Sequence, residues 1–214
     1  MSVPRRVVAS VICLGLLMGC TSDGGDTRSE SPRSGSGAGA RFSRGDLDAI
    51  VLMPADAPPG TEYSNAVSGF QDLDAFAADA TEAAALQRDG FVVGHLALFA
   101  PQGHAEPGQG DPLPLDAPFA QEITGLFGSG EGASDALHRF RDRLATQQFE
   151  GASSPEALAY GDESFALEGD VGGSHVVLYA WRDGNLVLAV SGVGSLPPDV
   201  LRSLAGLVQD RAAT

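Results

Sequence analysis

The sequence predicts an α+β fold: a single domain in which helices pack on a mainly antiparallel sheet. Three observations lead there. Ser174–Arg182 and Asn185–Val193 are β-rich runs separated by Asp183-Gly184, a pair favoured in two-residue hairpin turns. Asp72–Asp89 and the stretch after Ser134 repeat apolar residues at three- and four-residue steps, the helical period. Strands fall into groups with hairpin connections and helices lie between the groups, an order that suits α+β better than alternating βα units. About 170 residues follow Gly45, enough for one domain with a sizeable core.

In chain order, Asp46–Met53 is a short apolar run, and Pro54 to Gly60 is a turn whose prolines forbid a regular element. Thr61–Gln71 reads as a weak first strand. Asp72–Asp89 reads as one helix through Leu73, Phe76, Ala80, Ala83 and Leu86, with Gly90 placed to end it. Phe91–Phe99 is a strand, and Pro101–Pro118 is a loop dense in proline and glycine. Glu122–Phe127 is a strand. After a glycine-rich turn, Ser134 or Asp135 caps a helix to about Gln148, with Ala133, Leu137, Phe140 and Leu144 inward and Arg139, Arg141 and Arg143 outward. Ala157–Glu168 is a strand interrupted at Gly161. The hairpin then places Trp181 opposite Leu186, Tyr179 opposite Leu188 and Val177 opposite Val190. Its other face carries Val176, Leu178, Ala180, Val187 and Ala189. Two apolar faces put this hairpin inside the sheet, under helices on one side and loop or strand on the other. Pro197-Pro198 opens a last helix with Val200, Leu201, Leu204 and Leu207 or Val208 inward.

Residues 45–214 are preceded by segments of another character. Arg5-Arg6, the nearly apolar Val7–Met18 and the small Gly19 have the build of an export signal over residues 1–19. The apolar part is shorter than the roughly 20 residues that a membrane span needs. Leu17-Met18-Gly19-Cys20 resembles the lipobox of bacterial lipoproteins. The resemblance implies cleavage before Cys20, which becomes the acylated N-terminus. Cys13 lies in the leader, so Cys20 would be the mature chain's single cysteine, with no disulfide partner. One acyl chain anchors only marginally, at about 0.8 kcal/mol per buried CH₂, so the two or three of that family make a lasting anchor. From Cys20 to Arg44 the chain is Ser/Gly/Asp/Arg-rich and reads as a disordered spacer with an r.m.s. span of roughly 25–30 Å.

The chain carries 13 basic and 28 acidic side chains and contains no lysine. Loss of the leader leaves 11 basic residues and a net charge of −17. A polyanion of this kind does not bind nucleic acid or an anionic lipid surface by its body. Such charge keeps it soluble and self-repelling.

Candidate chemistry is sparse. Gly128-Ser129-Gly130-Glu131-Gly132-Ala133 formally matches a dinucleotide loop with Glu150 further on, but the hairpins that follow are not βαβ units, and a β-to-α turn is the better reading. His95, His104, His138 and His175 lack metal-ligand spacing, although His104 with Glu106, or His95 with His175 across the sheet, could approach one another. No serine sits in a G-x-S-x-G elbow. Asp162 and Glu163 are adjacent and point to opposite faces of a strand.

The order strand, helix, strands, hairpin, C-terminal helix resembles small extracytoplasmic modules of actinobacterial lipoproteins and sensor kinases, some PsbP-like, and the resemblance covers mainly Ala157–Thr214. The expected protein is therefore a lipoprotein anchored to the outer face of the cytoplasmic membrane. Its domain would be a non-catalytic binding or sensory module, not an enzyme, without cofactor or metal. Its partners would be the membrane through the lipid, an envelope protein or a small apolar ligand. A second reading is an apolar-ligand or lipid carrier whose cavity is lined by Tyr179, Trp181, Leu186 and Leu188 beneath the Pro101–Pro118 loop. A third, an exported hydrolase, requires a cleft joining His95 or His175 to an acid.

Overall fold

Ser43 begins the first helix: its backbone N–H and its hydroxyl both donate to Asp46, at 2.7 and 2.8 Å, which fixes the start of Arg44–Ile50 (α1). The computed structural model describes residues 41–105, 116–146, 150–154, 158–171 and 173–214. The leader, the lipobox residues Leu17, Met18, Gly19 and Cys20, the spacer up to residue 40 and most of the Pro101–Pro118 segment lie outside them.

The weak first strand is two three-residue strands, Thr61–Tyr63 (β1) and Gly69–Gln71 (β2), both antiparallel to Phe91–Pro101 (β3) along the same edge. The helix expected over Asp72–Asp89 is two helices, Leu73–Phe76 (α2) and Ala80–Arg88 (α3). Asp72 accepts from Ala75 N at 3.0 Å, and Asp79 from Glu82 N at 2.8 Å. Asp79 thus opens a second helix instead of extending the first, since a short carboxylate competes for backbone N–H groups.

Phe119–Phe127 (β4) leads into Gly130–Thr146 (α4), which starts four residues before Ser134. The glycine run is the helix's own first turn. A Cβ on Gly132 would lie 1.9 Å from the Asp89 carbonyl oxygen, so glycine lets α4 abut the end of α3. Glu150–Ser153 (β5) was not anticipated, and the next strand is Glu163–Val171 (β6), beginning after Gly161 rather than before it. Ala157 is outside the described residues.

Ser174–Asp183 (β7) and Leu186–Val193 (β8) form the expected hairpin in a different register. Asp183 pairs with Leu186, Trp181 with Leu188, Tyr179 with Val190 and Val177 with Gly192. The loop is Gly184-Asn185, with Gly184 alone at positive φ (+57°), the pattern of a type II′ turn. Moving the turn by one residue shifts the register by two, so each side chain keeps its face. Pro198–Ala212 (α5) closes the chain.

The sheet runs β1-β3-β4-β8-β7-β6-β5, with β2 beside β1, and every registered pair is antiparallel. On one face, Val177, Tyr179, Trp181, Leu186, Leu188 and Val190 pack with Leu47 and Ile50 of α1 and Leu201, Leu204, Ala205 and Val208 of α5. On the other, Leu178, Ala180 and Ala189 pack with Leu137 of α4, while Phe76, Leu86, Phe127 and Ala133 form a neighbouring cluster. Helices therefore cover both faces, where loop or strand was expected on one. Amphipathic α4 supplies that cover, as its apolar spacing of three and four requires.

Candidate functional site

The second face is not uniformly filled. Gly94 of β3 and Gly125 of β4 are registered partners, and together they leave a dip in the middle of two strands. The Phe76 ring occupies part of it: a Cβ on Gly94 would lie 2.0 Å from Phe76 Cδ2. Beyond the ring a crevice opens between α3 and α4. Its floor is Ile123, Gly125 and Phe127 of β4 with Val187 and Ala189 of β8. Leu86 forms one wall, and Ala136 and Phe140 form the other. The enclosed room is about 40 Å³, and the mouth is open to solvent.

Two charges stand at that mouth. Arg143 Nη1 lies 3.1 Å from Glu82 Oε2, tying α4 to α3 across the opening, and the guanidinium carbon is 5.9 Å from the Phe140 ring centroid. One helical turn earlier, Arg139 donates to Asp89 at the end of α3. Two of the three arginines expected to face solvent are thus the links between these helices. The arrangement is an apolar slot with one cation and one anion at its rim. Ligand pockets in general pair an apolar lining with a few polar groups that fix orientation.

The side chains proposed from sequence to line a ligand cavity lie elsewhere. Tyr179, Trp181, Leu186 and Leu188 are 2%, 1%, 0% and 0% exposed, on the first face, in closed packing with α5. None of them lines the crevice. The Tyr179 hydroxyl accepts from Arg202 Nε at 3.2 Å.

The histidines separate. His95 is buried on the first face, its Nδ1 3.0 Å from Glu122 Oε2, and the Thr124 hydroxyl donates to the other oxygen of that carboxylate. The acid stands between hydroxyl and imidazole, whereas an activated hydroxyl needs the imidazole in the middle. His175 is two strands away from the β3–β4 pair, on β7, with Asp170 and Glu168 beside its ring nitrogens at 3.1 and 3.2 Å, so it does not meet His95. His138 Nε2 on α4 is 2.5 Å from Glu163 Oε1. Asp162 instead accepts from Arg182 and from Gly184 N, so the adjacent acids take different partners. His104 is described but Glu106 is not. Among the described residues no group of three or more histidine, cysteine or acidic side chains is placed to hold a metal ion. Nor is any helix among them long and apolar enough to cross a membrane. The Gly128–Ala133 motif is spent on packing: Gly128 N donates to Gly90 O at 2.8 Å, and Gly132 abuts Asp89.

Sequence reasoning missed the crevice. The signal available was a glycine inside each of two apolar strands, Gly94 and Gly125, which marks close approach by another group.

The sequence matches no protein family, and no curated protein matches it. Among solved structures, the extracellular domain of PknH from Mycobacterium tuberculosis superposes with a TM-score of 0.49 at 10% identity, covering 80% of this chain and 97% of that one. No functional residue is carried from one chain to the other at that identity.

Proposed function

We propose that the chain is a lipid-anchored extracytoplasmic binding domain, non-catalytic, that takes a small ligand in the crevice between α3 and α4. The observation that carries the reading is an apolar slot over the Gly94–Gly125 dip with the Glu82–Arg143 pair at its mouth. The lipobox-like Leu17-Met18-Gly19-Cys20 supports the anchor. The route of the chain fits both. Arg41 donates to Asp183 and to the Ala212 carbonyl, so the first described residue lies beside α5, on the sheet face opposite the crevice.

Methyl NMR of the full chain tests the binding site. Titration with small apolar compounds is expected to move the methyl signals of Ile123, Leu86 and Val187 together. Shifts confined to Leu186 and Leu188 would return the site to the first face and overturn the reading. The anchor is tested by fatty-acid labelling of the native host: label is expected in wild type and lost in Cys20→Ala, and equal label in both would remove it.

A further inference from the structure

The size and the lining of the crevice narrow the ligand class, given that the crevice is the binding site proposed above. Its enclosed room is about 40 Å³. One water-sized sphere takes about 10–15 Å³, so roughly three or four heavy atoms fit. A cavity that holds a benzene ring is about 150 Å³, several times larger. Pockets that take in a whole drug-sized molecule run to several hundred Å³, so here only one end of a ligand is enclosed and the rest stands in the open mouth.

The lining sets the chemistry of that end. Apart from Glu82 and Arg143, every residue that lines the crevice is apolar or glycine. A hydroxyl or amide carried inside would lose its water and find no side chain to replace it, and a charge would lose far more. Nor do the two charges at the mouth need a third. Glu82 and Arg143 are 3.1 Å apart, at 19% and 27% exposure, and Arg143 also stands over the Phe140 ring and engages a further group. A charged head meets partners that are already paired and gains little from them at a partly solvated rim. The Phe76 ring takes the Gly94 side of the dip, which leaves the Gly125 side to the ligand.

We infer that the crevice takes the uncharged alkyl end of a small neutral molecule, about three or four carbons deep, with the molecule's polar group left at the mouth. A phenyl end is too large for it. Carbons beyond that depth stay in water, so a long acyl chain gains no more here than its last few carbons.

The test is a homologous series on the full chain, the 1-alkanols from ethanol to hexanol, read by the Ile123 methyl shift. Affinity is expected to rise about fourfold per carbon while added carbons are buried, up to propanol or butanol, and less than about twofold per carbon after that. Benzyl alcohol is expected to bind at least about tenfold more weakly than 1-butanol, because its ring exceeds the room. Butyrate and butylammonium are expected to bind no more tightly than 1-butanol. Leu86→Ala removes part of one wall, so its series should climb further along the chain before it levels. A series that climbs unchecked to hexanol in the wild type, or benzyl alcohol binding as well as butanol, overturns the assigned size while the crevice stands. Tighter binding of either charged probe overturns the neutral class in the same way. If no alkanol moves that methyl, yet other apolar compounds do, the assignment again falls alone. If no compound of any class moves it, the crevice reading falls as well. The wild-type series decides the matter even if Leu86→Ala fails to fold.

Discussion

The side-chain amide of Asn185 pairs with the backbone of Phe42 as a second strand would: Oδ1 accepts from Phe42 N at 2.8 Å, and Nδ2 donates to Phe42 O at 3.0 Å. The same amide accepts from Arg41 N at 2.9 Å and donates to Phe127 O at 2.7 Å, which uses its full hydrogen-bonding capacity at 1% exposure. One turn residue thus docks the start of the described chain onto the end of β4 beside the β7–β8 turn. Asn185→Ala leaves several backbone groups without partners and is expected to cost about 2–4 kcal/mol in urea unfolding. Faster amide exchange at Phe42 should accompany it. Asn185→Asp is expected to be no milder at neutral pH, because an oxygen would then face the Phe42 and Phe127 carbonyls.

Phe76 and Gly94 form a second dependence. The ring sits where any side chain at Gly94 would be, so Gly94→Ala is expected to displace Phe76 and destabilise the domain by about 1–3 kcal/mol. Phe76→Leu costs stability by itself, through a thinner wall. In the double variant the two losses should not add, with a coupling of about 0.5–3 kcal/mol in denaturant unfolding. Strict additivity would mean that the ring moves aside freely.

How much of this was legible in the sequence depends on whether the signal was a pattern or a contact. The hairpin, both long helices and the apolar character of both hairpin faces follow from periodicity, and Leu137, Leu201 and Leu204 are buried as the spacing of their helices requires. The hairpin register was missed because Asp183-Gly184 and Gly184-Asn185 are both acceptable turn pairs. The choice is made by Asn185, whose partners Phe42 and Phe127 are far away in the chain. The break at Asp79 was missed because alanines on either side keep helical spacing across it. The crevice needed knowledge that Gly94 and Gly125 are neighbours on adjoining strands, which no single-strand pattern contains.

Asp56 and Arg211 give the fold a defined response to acid. Both carboxylate oxygens of Asp56 take a guanidinium N–H at 2.9 Å, and Met53 N donates at 2.7 Å. Burial pushes this carboxyl up, but the Arg211 fork and the Met53 N–H outweigh it and hold it below its ordinary value of 3.8. A depressed folded-state value contributes stability that is fully present above 3.8 and is lost as pH falls through the folded value. Asp56→Asn is therefore expected to be less stable than wild type by about 1–2 kcal/mol at neutral pH. The gap should close in strong acid, as measured by urea midpoints across pH. A gap independent of pH would assign the effect to packing instead.

His95 and Glu122 test what a polar pair does in an apolar layer. They lie at 3% and 0% exposure on the face that carries Phe99, Leu188 and Val190, with the Phe70 ring edge-on to the imidazole at 5.1 Å. Removing one member strands the other away from water, so His95→Leu and Glu122→Leu are each expected to cost about 3–5 kcal/mol. The double variant should be closer to wild type than either single, because an apolar pair needs no partner there, although Thr124 loses its acceptor. Guanidinium unfolding of the four proteins measures this directly. The crevice lies on the opposite face, so whatever folded fraction remains should move its Ile123 methyl with the same ligand affinity as wild type. If the singles bind ligand more weakly per folded molecule, the buried pair is setting the spacing of β3 and β4 beneath the Gly94–Gly125 dip, and its place in the core is a matter of site geometry as much as of stability.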